Sequence, residues 1–186
     1  FTLNGADLGA ATLQLQSYSS DRYTMSFITQ YGGQYTSEIK GDLLYPSLGE
    51  ATLDLTADFK SFPAKSLQNL LGKSFDHIEG LLDGKLHIGG YLNQPLVYGD
   101  LFLNKFSFDV PYLGVSYDFP QDIQLVVTPD VFEFMSAPVT DNVYKSEGLV
   151  KGKLTHDNFK NFTPDFTISS DRMLILDTDF NPQSNY

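Results

Sequence analysis

The sequence contains no cysteine and no tryptophan. The first absence removes disulfides, thiolate metal ligands and cysteine nucleophiles together. It is compatible with the cytosol and equally with an oxidising compartment, where an unpaired thiol is a liability. Basic residues are scarce: 12 Lys+Arg stand against 23 Asp+Glu, a formal net charge of −11 over 186 residues. Neutralising phosphates needs clustered Lys and Arg, so the balance argues against nucleic acid as a partner. It argues equally against docking on an anionic membrane surface. Long apolar runs are missing; the longest, Met173 to Leu176, is four residues, far short of the ~20 that span a bilayer as a helix. No secretory or transit peptide is recognisable. The chain starts at Phe1, as expected of a processed product or an excised piece.

Catalytic constellations are also wanting. The histidines are His77, His87 and His156, and none stands in a His-Glu-x-x-His arrangement. His77-Ile78-Glu79 reads as an exposed charged patch. Asp177 and Asp179 sit at i, i+2, but the Gly-centred calcium loop is absent. There is no Gly-x-Ser-x-Gly elbow. Gly89-Gly90 lacks the Gly-Lys-Ser/Thr that would complete a phosphate loop. Nothing favours a pair of glycosidase carboxylates. Asn161-Phe162-Thr163 fits a glycosylation sequon, which matters only in a eukaryotic secretory setting. The expectation is a non-enzyme without metal or cofactor.

What is present is alternation. Ala11, Leu13 and Leu15 alternate with Thr12, Gln14 and Gln16, and Tyr23, Met25 and Phe27 continue the period of two. Gly32-Gly33 then reads as a hairpin turn, since both residues tolerate positive φ. Further strands are predicted over Ala51–Phe59, Gly84–Gly89, Gly99–Val110, Leu113–Phe119, Ile123–Thr128, Val131–Met135 and Leu149–Thr155, with a tight turn at Pro129-Asp130. One amphipathic helix is predicted over Ala64–Leu71, capped by Ser61, opened by Pro63 and ended by Gly72, with Leu67, Leu70 and Leu71 on the sheet. Phe75 to Leu82 fits helix or strand. Leu8–Leu15 is echoed by Leu48–Leu55, 40 positions later, and a Gly-Asp/Lys-Leu triplet is read as starting strands at Gly41, Gly84, Gly99 and Gly152.

Phenylalanine numbers 15 and tyrosine 11, so the chain is rich in apolar surface rather than in polar clusters. Two readings stay open from composition alone. One is an ordinary β-sandwich core; the other is a sheet whose concave side is apolar and open to a hydrophobic ligand.

The segment Leu67 to Leu103 narrows the choice. It runs Leu67-Gln-Asn-Leu70-Leu71, then Ile78-Glu-Gly80-Leu-Leu-Asp-Gly84-Lys-Leu86-His-Ile88-Gly89-Gly90, then Pro95 and Gly99-Asp-Leu101-Phe-Leu103. This resembles the C-terminal domain of the TamB/AsmA-like (translocation and assembly module) family. There a short helix precedes an Ile-x-Gly-x-Leu-x-Gly-x-Leu-x-Ile-x-Gly run, a Pro and a Gly-x-Leu-x-Leu strand. Phe106–Phe119 and Gly148–His156 are similar to Bacteroidetes-type versions. The resemblance reaches from about Asp7 to the C-terminus and carries no catalytic residue. It implies one TamB-like domain over residues 1–186, with both ends cut from a longer chain.

The resemblance implies an all-β fold, a curled antiparallel sheet (a β-taco, or open trough with an apolar interior) with one short amphipathic helix. It further implies the periplasmic part of an inner-membrane-anchored envelope protein. Its expected partners are phospholipid or unfolded outer-membrane protein strands and an Omp85-type, TamA-like barrel, in lipid transport to and protein assembly in the outer membrane. Alternation nominates the groove lining: Leu53, Leu55, Leu101, Leu103, Ile123, Leu125 and Val127, with Asp54, Asp100, Asn104 and Gln124 facing water. Phe102 is the apolar exception on the outer face. The rival readings are a chaperone-like groove that binds β-strands by edge pairing, and a β-sandwich adhesin or carbohydrate-binding module.

Overall fold

The computed structural model describes residues 2–3, 6–7, 9–32, 34–67 and 75–172. The fold is all-β. A small hairpin, β1 (Thr2–Leu3) and β2 (Ala6–Asp7), precedes one large antiparallel sheet. Its strands are β3 (Ala10–Ser17), β4 (Arg22–Tyr31), β5 (Gln34–Leu44), β6 (Thr52–Pro63), β7 (Asp76–Tyr91), β8 (Gln94–Val110), β9 (Val115–Asp118), β10 (Ile123–Thr128), β11 (Val131–Asp141), β12 (Glu147–Asp157) and β13 (Lys160–Ser169). The order is a meander, β3 to β13, in which β9 and β10 stand end to end between β8 and β11. Val115–Asp118 pairs with the C-terminal part of β8, and Ile123–Val127 with Gly99–Leu103. Hairpins form around Gly32 and at Pro129-Asp130 where turn chemistry predicts them. The ambiguous Phe75–Leu82 stretch enters β7 at Asp76.

Among the described residues the predicted helix is represented by a 3₁₀ turn, Ala64–Leu67. Ser61 and Pro63 belong to β6 instead. Ser61 has φ 49° and its N–H donates to Asp83 Oδ1 at 2.8 Å, so that backbone is engaged by β7 rather than by a helix. Leu70, Leu71 and Gly72 lie outside the described residues. The turn is nonetheless docked: Ala64 and Ser66 are buried, it packs on β7 and β2, and Lys65 Nζ lies 5.7 Å from the Tyr31 ring centre.

The sheet is curled. The β7–β8 and β12–β13 turns are four strand positions apart, about 19 Å in a flat sheet. Yet Asn158 Nδ2 in one turn donates to the Asn93 carbonyl of the other at 3.1 Å. Register shifts drive the bend, because a bulge puts an extra residue on one strand and increases local twist. They fall between Thr29 and Gln30, Phe59 and Phe62, Asp76 and Leu81, Phe134 and Ala137, and Thr155 and Asp157. Lys105, at φ 51°, resets the alternation of β8, so Leu103 is followed by Phe106 and Phe108 on one side.

Gly41, Gly84, Gly99 and Gly152 stand within strands rather than at strand starts. At Gly84 and Gly99, φ is 131° and 147°, and an added Cβ would lie 2.3 and 2.1 Å from a neighbouring-strand carbonyl. The recurring triplet therefore marks places where strands approach too closely for a side chain. The core inside the curl has two parts. One gathers Val115, Tyr117, Phe119, Ile123, Ala137, Val139 and Val150; the other gathers Phe62, Leu82, Val97, Leu101 and Val127.

Candidate functional site

Directly opposed residues of neighbouring strands share a face, so the register assigns the inner surface row by row. Leu103 stands between Ile123 and Leu82, and Leu82 opposes Phe62. Leu101 stands between Leu125 and Gly84, which opposes Phe59. Val127 opposes Gly99, and Leu55 stands between Ile88 and Gly41. Leu53 stands between Leu43 and Gly90. Leu53, Leu55, Leu101, Leu103, Ile123, Leu125 and Val127 thus all lie on one face of the sheet.

The opposite face is polar. Asp54 opposes Asp42, Asp58 opposes Glu38, and Asp100 opposes Lys85. Gln124 Nε2 donates to Asp100 Oδ1 at 3.1 Å, and the Asn104 amide donates to Asp83. Lys85 Nζ is 3.5 Å from Asp58 and His87 Nδ1 is 3.8 Å from Asp54. Arg22 pairs with Asp42, and this hydrogen bond, aided by Thr24, holds the Asp42 carboxyl below its ordinary range. Phe102 stands between Asp83 and Gln124 and remains 39% exposed.

Burial divides the nominated lining. Leu55, Leu101, Ile123 and Val127 are buried within the curl; Leu53, Leu103 and Leu125 are half-buried. The open part of the inner face lies on β3 to β5. Leu13 and Leu15 are 64% and 61% exposed, and Met25, Phe27, Ile39 and Leu43 extend their rows half-buried. At the far margin Phe166 and Ile168 are again exposed, on the face they share with Phe134, Gly152 and Val150. Sequence reasoning placed the lining on β6, β8 and β10 and left out β3 to β5, although the alternation of Leu13, Leu15, Met25 and Phe27 was the signal for it. An open depression of about 760 Å³ adjoins this far margin, lined by Pro120, Val139, Leu149 and Ile168 among others.

Most buried polar groups are consumed by structure, while Ser66 Oγ and His156 Nε2 are buried without a hydrogen-bond partner among the described residues. Thr29 Oγ1 shares hydrogen bonds with Thr36 Oγ1 (2.8 Å) and Ser37 Oγ (2.6 Å), all three residues buried. Asp141 is fully buried and accepts the backbone N–H groups of Val143, Tyr144 and Ser146 at 3.1, 2.6 and 3.0 Å. Its charge, after burial itself, raises the Tyr117 phenol above its ordinary range. The His156 ring lies among Phe132, Phe159 and Phe162, and its Nδ1 accepts the Phe159 N–H at 3.1 Å. His77 pairs with Asp109 at 2.6 Å on the surface.

Among the described residues no three His, Asp or Glu side chains gather to hold a metal ion, and Asp177 and Asp179 lie outside those residues. What the arrangement offers a ligand is apolar contact along a curved wall. Compared with protein-family models, curated proteins and solved structures, the chain matches none of them.

Proposed function

We propose that this chain shields hydrophobic cargo, phospholipid first, in an apolar β-groove of the TamB/AsmA-like kind. In this reading it is the periplasmic part of an inner-membrane-anchored envelope protein that works with an Omp85-type, TamA-like outer-membrane barrel. The observation that carries the reading is the segregation of faces: the side chains of one wall are mostly aliphatic and aromatic from β3 to β13, with its few polar groups buried, and the other wall bears the exposed charges. Each methylene exposed to water costs about 0.8 kcal/mol, so two acyl tails cross an aqueous gap only if well over ~10 kcal/mol is offset by cover. A wall of even apolar character offers that cover and demands no catalytic group. The packed middle of the curl directs cargo to the open stretch over β3 to β5, where Leu13 and Leu15 stand free of the core clusters.

Mass spectrometry of a lipid extract tests the proposal. The chain purified from a diderm host is expected to carry phospholipid. Leu13→Asp combined with Leu15→Asp, both at exposed positions, is expected to lower the lipid load while leaving the circular dichroism spectrum intact. A chain free of lipid, and unable to take up phospholipid from micelles, overturns it.

A further inference from the structure

Arg22, Lys40, Lys85, Lys145 and Lys153 each lie within 4.0 Å of an Asp or Glu carboxylate. Lys65 differs: among the described residues it makes no ion pair. Its Nζ lies 5.7 Å from the Tyr31 ring centre instead, within the range of a cation–π contact. Tyr31 follows Phe27 and Thr29 at alternate positions of β4, which puts it on the inner face. The bulge beside it adds its extra residue, Thr36, to β5, so β4 keeps its alternation. The ammonium therefore stands over the inner side of the sheet. The 3₁₀ turn presents it: Ala64 and Ser66 are buried, and Lys65 between them is exposed. The two segments that meet at this point, Thr29–Ser37 and Ser61–Ser74, contain no Asp or Glu, in a chain that has 23. Asp7 of β2, which packs on the turn, accepts the Gly9 N–H at 2.8 Å.

We infer that Lys65, seated on Tyr31, receives the phosphate of a glycerophospholipid whose tails lie along the open rows of β3 to β5. The inference rests on the cargo reading above and adds to it a polar anchor and a direction. Along β4 the inner face passes from Lys65 over Tyr31, to the Thr29–Thr36–Ser37 hydroxyls, to Phe27 and Met25 flanked by Leu13, Leu15 and Ile39. Polarity falls in the same order along the lipid, from phosphate through ester-linked glycerol to tails. The apolar stretch from Phe27 to Tyr23 is about 14 Å long at ~3.4 Å per residue. That is close to the ~15 Å that one leaflet's tails occupy in a ~30 Å hydrocarbon core. An ammonium without a carboxylate neighbour is free to make charge-assisted hydrogen bonds to phosphate oxygens. Resting on the Tyr31 ring also limits the freedom that it loses on binding.

Uptake of two lipids with identical tails tests this. Phosphatidylglycerol and diacylglycerol are offered in detergent micelles, and bound lipid is read by mass spectrometry as the ratio of the first to the second. Lys65→Gln is expected to lower that ratio about threefold and Lys65→Glu about tenfold, as loss and reversal of an exposed charge pair would, while Lys65→Arg keeps it. Lys65 is exposed, and unchanged circular dichroism verifies the fold of each variant. A ratio unmoved by Lys65→Glu, or equal loss of both lipids in that variant, overturns the inference and leaves the cargo reading standing. A native chain that takes up neither lipid removes the cargo reading and the inference with it.

Discussion

Leu15 on β3 and Leu55 on β6 occupy equivalent positions in the repeated segment and lie on the same face of the sheet, yet Leu15 is 61% exposed and Leu55 is 6% exposed. The difference is made by neighbours and curvature, since the local sequence is nearly the same. Leu55→Ala should cost about 2 to 5 kcal/mol, as other buried truncations do, while Leu15→Ala should stay within roughly 0.5 kcal/mol. Urea midpoints of the two variants measure this directly, and equal midpoints would mean that the curl does not cover β6.

Among the described residues, an exposed hydrogen bond from Asn158 to the Asn93 carbonyl ties two turns together across the curl. Asn158→Ala should therefore cost only about 0.5 to 1.5 kcal/mol globally. Its larger effect should be local: amide exchange at the β7–β8 and β12–β13 tips should accelerate while β10 stays protected. Hydrogen exchange read by mass spectrometry distinguishes the two regions, and uniform acceleration would place the bond in the global core instead.

Asp141 makes a sharper case, because its buried carboxylate accepts three backbone N–H groups. Asp141→Ala strands those donors and should destabilise by about 3 to 5 kcal/mol, the range for breaking a buried charged network. Loss of the near-ultraviolet signal of Tyr117, which opposes Asp141 across β9 and β11, would accompany it. A variant as stable as the native chain would show that the loop over residues 142–146 holds itself.

Much of this architecture is legible from residue order. Alternation marks β3, β4, β6 and β10, and because the side-chain period is two, one face follows from a single strand once pairing is known. The β10 boundaries, Ile123–Thr128, coincide with prediction because Pro129-Asp130 ends it sharply. Three features were not legible. The helix start expected at Ser61 and Pro63 gave way to β6, where Asp83, 22 residues away, captures the Ser61 N–H. The in-strand glycines looked like strand starts because local sequence does not reveal how closely a neighbouring strand approaches. The division of the lining into packed and open parts depends on curvature, and curvature arises from bulges at Lys105, Ser61 and His156 that no local motif announces.

The His77–Asp109 pair gives a pH dependence with a definite sign. The hydrogen bond to Asp109, then the nearby Asp76 charge, raises His77 above its ordinary value of about 6.5. The stabilisation is fully present below that value and is lost as pH rises through the folded-state value. Both partners are solvent-accessible, so screening keeps the effect on stability small. An NMR titration should find His77 raised, and Asp109→Asn should return it toward about 6.5; an unchanged midpoint in the variant would separate the shift from the pair.

The central claim is that the inner wall over β3 to β5 carries acyl chains. Photo-crosslinking resolved by position tests it most directly. A photoreactive residue at Leu15 or Leu43, on the inner face, should capture phospholipid in cells, and one at Gln16 or Asp42, adjacent in sequence but on the outer face, should not. Capture confined to the inner pair is the predicted result; equal capture at all four positions, or capture at none, would contradict it.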